Sequence, residues 1–101
     1  MDLNDLVELT WDITDDDLNE KRIMDLYASL AEEVGELATA ILAELNIKGK
    51  KEDLDEPASH EAIDVIICGL AMYRATKLDA NLDDLRDIMH KKLMKWKNSK
   101  Q

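Results

Sequence analysis

The sequence predicts an all-α fold, and three observations lead there. Apolar residues recur at spacings of one, three and four over long stretches, which places them on one side of a helix. Only three Gly and one Pro punctuate 101 residues, too few for the turns of a many-stranded sheet. The period-two alternation of half-buried strands is absent. The length suits a single domain over residues 1–101, and 46% hydrophobic residues suffice for a packed core.

The elements follow in order. Leu3, Leu6, Val7 and Leu9 form a short amphipathic helix ending near Trp11. Thr14 with Asp17 resembles a capping box and opens a long helix from about Leu18 to Asn46. Its apolar face is Ile23, Leu26, Tyr27, Leu30, Val34, Leu37, Ile41 and Leu45. Small residues, among them Ala31, Gly35, Ala38 and Ala43, fill much of the remaining circumference and let neighbours approach on more than one side. Such a helix is central or shared with another subunit. The polar stretch from Asn46 to Pro57 is a loop, with Pro57 in the first turn of the next helix and Asp55 or Glu56 as its cap. That helix runs from about Ala58 to Lys77. Asn81 caps the last one, Leu82 to about Lys97, with Asp84 at the third position.

Charge excludes several functions. With 23 acids against 13 bases the net charge is −10, so a partner that is a nucleic acid polymer is ruled out. The single Cys68 allows no internal disulfide and sits in an apolar run as a core residue. The longest uncharged run, Val65 to Tyr73, is too short to cross a membrane, and the start lacks the pattern of a signal peptide. A cytoplasmic protein without a membrane partner is expected. The acid is unevenly spread: residues 1–85 carry −15, whereas Arg86 to Gln101 carry +5. Lysines near a helix C-terminus complement its dipole, and they can equally serve an anion site.

Four acids stand where a packed helix would not want them. Glu33 and Glu36 lie one turn apart on the shoulder of the long apolar face, while Glu32 points to the polar side. Glu61 and Asp64, also one turn apart, are the only charges from Ala58 to Tyr73 and start a stripe continued by Val65, Cys68 and Met72. Burying such pairs costs several kcal/mol unless a cation compensates them. Facing each other across a helical hairpin, the four carboxylates form an oxygen-only site that suits Mg²⁺ or Mn²⁺ better than zinc. A di-iron bundle would want Glu-x-x-His on two helices, and only the loose match of Asp87 with His90 is present; no P-loop is present either. A carboxylate-held Mg²⁺ near basic residues points to a phosphate-rich substrate, with Lys91, Lys92 and Lys95 available to it. His60 reads as an exposed residue at a helix start. Trp11, Tyr27, Tyr73 and Trp96 could stack on a base, although core placement is the commoner fate of so few aromatics.

Ser29-Leu30-Ala31-Glu32-Glu33-Val34-Gly35-Glu36-Leu37, followed by Glu61-Ala62-Ile63-Asp64-Val65, resembles the MazG-like all-α nucleoside triphosphate pyrophosphohydrolases. Their signature is EExxE, a spacer, then ExxD, and the similarity extends over residues 20 to 98 with the late KLMKW segment. The resemblance implies Mg²⁺-dependent hydrolysis of (d)NTPs to the monophosphate and pyrophosphate. It implies Glu33, Glu36, Glu61 and Asp64 as metal ligands, and Glu32 as the further motif glutamate, with Glu32 and Glu33 the catalytic candidates. Lys92, Lys95 and Trp96 match substrate-contacting positions, with Lys where Arg is frequent and Trp96 where some relatives have Asn. The implied architecture is a four-helix bundle completed between subunits of a homodimer or homotetramer. The alternative is a non-catalytic helical module that binds a nucleotide or a protein.

Overall fold

The computed structural model describes residues 1–14 and 19–100. The described residues form four α-helices and no strand: α1 Leu3–Thr14, α2 Glu20–Glu44, α3 Ala58–Thr76 and α4 Leu82–Ser99, with a single 3₁₀ turn, Lys51–Asp53, between α2 and α3. The all-α expectation holds, and several boundaries are corrected. α1 continues past Trp11 to Thr14, so Thr14 does not cap α2; its hydroxyl donates back to the Thr10 carbonyl at 2.7 Å. The expected capping partner Asp17 and expected first residue Leu18 lie outside the described residues. α2 is capped by Asn19, whose side-chain oxygen accepts the Arg22 N–H at 2.9 Å. Asn81 caps α4 as expected, accepting from the Asp84 N–H at 2.9 Å.

α2 and α3 form an antiparallel hairpin. Leu26, Ala71 and Ala75 make its buried core, with Ile23 and Met72 packed against them. The α2 side of the interface is Ile23, Leu26, Leu30, Glu33, Leu37, Ala40 and Glu44, alternately three and four apart, and every one is buried or half-buried. α1 packs on the outer side of α3. Trp11 is buried there, its indole N–H donating to the Leu70 carbonyl at 3.0 Å, with the Tyr73 ring centroid 6.3 Å away and the Arg74 guanidinium 5.8 Å over its ring. Trp11 is therefore a core anchor, and stacking on a base is closed to it.

The apolar face expected of α2 splits in two. Ile23, Leu26, Leu30 and Leu37 turn to α3. Tyr27, Val34, Ile41 and Leu45 remain exposed, and with Met24, Ala31 and Ala38 they form a second stripe of alternating three-four spacing, one residue ahead of the first. On α3, Ile63, Ile66 and Ile67 are exposed as well. α4 has no buried residue. The radius of gyration is 15.9 Å, against about 13 Å for a compact chain of this length. Four helices are present, but one chain does not close them into a bundle. Among the described residues no helix is long and apolar enough to cross a membrane.

In so small a core, Leu26 is the one large aliphatic side chain among the described buried residues and carries much of the hairpin's stability. Leu26→Ala is expected to cost about 2–4 kcal/mol, read as a lower midpoint in urea unfolding followed by circular dichroism.

Candidate metal centre

The hairpin brings the two acid pairs together. Leu26 meets Ala71 and Ala75 at one end of the interface, and the same antiparallel register sets Glu33 and Glu36 of α2 against Glu61 and Asp64 of α3. One carboxylate oxygen from each of Glu33, Glu61 and Asp64 lies within 4.8 Å of the other two. The Glu36 carboxylate adjoins both Glu33 and Glu61, near enough to share a proton with either. Glu61 is 9% exposed. Glu33 occupies the interface position between Leu30 and Leu37, so its burial is a consequence of where it falls on the helix.

The cluster consists of acceptors. Oε2 of Glu33 and Oε2 of Glu61 are shut off from solvent and have no hydrogen-bond donor. Burial raises the pKa of Glu33 above the usual carboxylate value, and the charges of Glu36 and Asp64, then Glu61, push it in the same direction. Burial likewise raises Glu61, followed by the charges of Glu36, Glu56 and Asp64. The charged neighbours that push the two groups upward, Glu36, Asp64, Glu56 and, for Glu33, Glu61, are all acids. One turn further along α3, burial pushes the Cys68 thiol up, aided by Glu33 and Asp64, which holds it as a protonated thiol ill-suited to be a nucleophile.

Beside the cluster an open cleft of about 560 Å³ runs between α2 and the 3₁₀ segment, with Glu32, Glu36, Asp53, Asp55, Glu56 and Glu61 on its walls. Glu32 is exposed at this cleft, on the polar side expected of it. A second cleft of about 450 Å³ lies between α1 and the start of α4, against Glu8, Trp11, Arg74 and Arg86, and holds none of the four acids.

Lys92, Lys95 and Trp96 are placed differently. They lie on the exposed α4, Trp96 being 66% exposed, and no lysine acts on Glu33 or Glu61. Within one chain these positions and the carboxylates are not one site. Lys91 pairs instead with Asp87 on its own helix at 3.0 Å. His60 is exposed at the start of α3, as expected.

Two acids escaped the sequence reading. Glu56 reaches the cluster from the loop, and Glu44 bonds the start of α3. Pro57 is the N-cap residue and not a first-turn residue, and it has no side-chain acceptor to offer; the Ala58 N–H donates to Glu44 Oε2 at 2.6 Å. The three-four spacing that runs from Glu33 through Leu37 and Ala40 ends at Glu44, which was the available signal.

This donor set fits a hard divalent cation: ligands are all oxygen, two oxygens are buried without a donor, and the repulsion among them is uncompensated. Glu33 and Glu61 also make a specific pH dependence. Their folded pKa values lie above the ordinary 4.5, so the folded chain binds more protons than the unfolded one across the interval from 4.5 to the raised values. Their contribution to stability therefore falls as pH rises through that interval and is lowest above it. The metal-free protein should gain thermal stability as pH drops from neutral into the interval. Glu33→Gln and Glu61→Gln should each raise the neutral-pH melting temperature and flatten this dependence, whereas Glu52→Gln, on the exposed 3₁₀ turn, should do neither.

Comparison of the chain with protein-family models, with curated proteins and with solved structures returns no match.

Proposed function

We propose that the chain is a Mg²⁺-dependent nucleoside triphosphate pyrophosphohydrolase, converting (d)NTPs to (d)NMPs and pyrophosphate, with Mn²⁺ able to replace Mg²⁺. The observation that carries the reading is the meeting of two acid pairs from consecutive helices around buried carboxylate oxygens that lack donors. The resemblance of these pairs to the EExxE and ExxD signature of MazG-like enzymes supplies the reaction.

In this reading Glu33, Glu36, Glu61 and Asp64 would hold the cation. When bound, it would neutralise phosphate oxygens and acidify a coordinated water. Hydrolysis forms a bond from water oxygen to the α-phosphorus and breaks the bond to the bridging oxygen, and pyrophosphate leaves. The water's proton passes to a carboxylate, for which Glu32, Glu33 and Glu36 are the candidates. Glu32, exposed on the cleft, is free of the interface and can turn toward a substrate. The acidic cleft repels a bare polyanion, so a long nucleic acid gains nothing there.

The cationic side of the site would come from α4. Lys92 and Lys95 can hold phosphates as point charges, and Trp96 offers a ring for a base. Their distance from the acids within one chain favours supply by a neighbouring copy, in a homodimer or homotetramer. The exposed stripe Met24, Tyr27, Ala31, Val34, Ala38, Ile41 and Leu45 has the a/d spacing of a helix–helix seam. Its large members and the three α3 isoleucines are 41–62% exposed, apart from Leu45 at 63%. At on the order of 100 Å² each, they approach the roughly 800 Å² that each partner contributes to a stable interface. The same faces favour a second reading, a non-catalytic helical module that binds a protein or a nucleotide.

Two measurements decide between them. Glu33→Gln and Asp64→Asn should lower Mg²⁺-dependent pyrophosphate release, assayed over a panel of canonical and damaged (d)NTPs, by on the order of 100-fold or more with the far-UV spectrum unchanged. Full turnover by both variants would overturn the metal assignment. For the assembly, Val34→Glu and Ile41→Glu should reduce the mass measured by light scattering from a multiple to the single-chain 11.5 kDa.

A further inference from the structure

We infer that Glu44 is a positioning residue for the carboxylate site: by clasping the start of α3 it fixes the axial register that sets Glu61 and Asp64 against Glu33 and Glu36. The inference deepens the metal-site reading above and rests on it.

The need for a clasp arises at Pro57. It is the N-cap of α3, with φ −69° and ψ 158°, and makes no side-chain cap bond. Its carbonyl accepts the N–H groups of His60 and Glu61 at 3.0 and 3.2 Å, but the N–H of Ala58 needs an acceptor from elsewhere. Glu44, the last residue of α2, provides it at 2.6 Å in a part-buried setting. An ionised acceptor at the positive end of a helix makes a short, charge-assisted bond. Fourteen residues separate the partners, so the bond ties two helices together and not merely one turn.

The location matters because the hairpin is otherwise weakly registered at this end. The buried apolar core, Leu26 with Ala71 and Ala75, lies ten residues along α3 from Glu61, roughly 15 Å away at 1.5 Å per residue. Around the acids the α2 side of the interface has half-buried Leu37 and buried Ala40, the latter a small side chain that interlocks little. Glu33, Glu36, Glu61 and Asp64 repel one another across the same gap. The loop after α2 is exposed apart from half-buried Leu54, and its other apolar residue, Ile47, is 67% exposed. A slip of α3 by one residue would shift Glu61 by about 1.5 Å and turn it by about 100°, enough to remove its oxygen from a cluster drawn within 4.8 Å. The Glu44 bond adds a directional attraction at the very start of α3 that opposes the slip.

The test titrates the full chain with Mn²⁺, reading the free ion by its paramagnetic resonance signal at a temperature well below unfolding. Glu44→Ala should bind Mn²⁺ about tenfold more weakly, the scale of losing a residue that orients a ligand. Glu44→Gln keeps an oxygen acceptor and should bind nearly as the native chain does, whereas a true ligand would lose affinity on that change. Asn81→Ala removes a comparable cap from α4, beyond the end of α3 opposite to Glu61, and should leave Mn²⁺ affinity unaltered. Should Glu44→Ala fail to fold, Glu44→Asp, which retracts the acceptor by one methylene, takes its place with the same expectation of weaker binding. Native affinity in the folded Ala or Asp variant overturns the inference, as does a Gln variant as weak as Ala. A native chain that binds no Mn²⁺ overturns the metal-site reading itself, a result distinct from either.

Discussion

Four carboxylates in the seam between α2 and α3 are the constraint on which the rest of the structure depends. A helix pair of this kind is ordinarily held along its whole length by interdigitated aliphatic side chains. Here the buried apolar core is where Leu26 meets Ala71 and Ala75, with Leu30 and Leu37 only half-buried beyond it. Further along, positions that would carry leucine or isoleucine carry Glu33, Glu61 and Asp64, and two of their oxygens are buried without a protein donor. Removing water from a carboxylate without replacing its hydrogen bonds is among the costliest substitutions in an interface. The hairpin can lower that cost by taking up protons or by holding a cation. The raised pKa values of Glu33 and Glu61 are the proton route, and the oxygen-only geometry is the cation route.

The same helix faces two ways. The seam used within the chain and the exposed seam are offset by one residue, hence by about 100°, the angle between the two neighbours of a helix in a square four-helix arrangement. α2 thus carries a second apolar stripe of the same spacing, and among the described residues α3 covers only the first. Small residues at Ala31 and Ala38 allow a close approach on the other. α4, without a buried residue of its own, is also unused by its chain. An all-helical chain that leaves a seam and a helix idle is complete as a set of elements and incomplete as a packed core.

Much of this was legible in the sequence. Glu33, Glu36, Glu61 and Asp64 stood out because a charge in an apolar stripe is an anomaly that periodicity alone exposes, and a spacing of three guarantees a shared face. The division of the α2 stripe was not legible. Ile23 and Tyr27 are equally apolar and nearly aligned, so their spacing does not tell which neighbour each will meet. The cap Asn19 was overlooked because the acids after Thr14 imitated a capping box, while the helix before it simply ran on. Glu44 was hidden for a different reason: its partner, the Ala58 N–H, is fourteen residues away, and a Pro-led helix start gives no hint of where its acceptor will come from. The α4 lysines could be identified as basic but not located, since no periodicity fixes where a terminal helix packs.

Charge distribution bears most directly on what such a chain can receive. The cleft beside the seam is walled by acids, so a triphosphate entering it alone meets repulsion on every side. A divalent cation, were it held by Glu33, Glu36, Glu61 and Asp64, would offset the charge of the phosphates. The remaining anionic charge then calls for cations on the open side, and the chain concentrates its own at one end: residues from Arg86 onward carry +5. Separating −15 from +5 along one chain costs nothing within a monomer whose α4 stands apart. In an assembly that brings α4 of one copy to the hairpin of another, the separation becomes an attraction between subunits and a two-sided site for a metal-bound anion. On that argument the polarity of the sequence and the idle helix are one feature, and a small anion with its cation satisfies both ends where a long polyanion would satisfy only one.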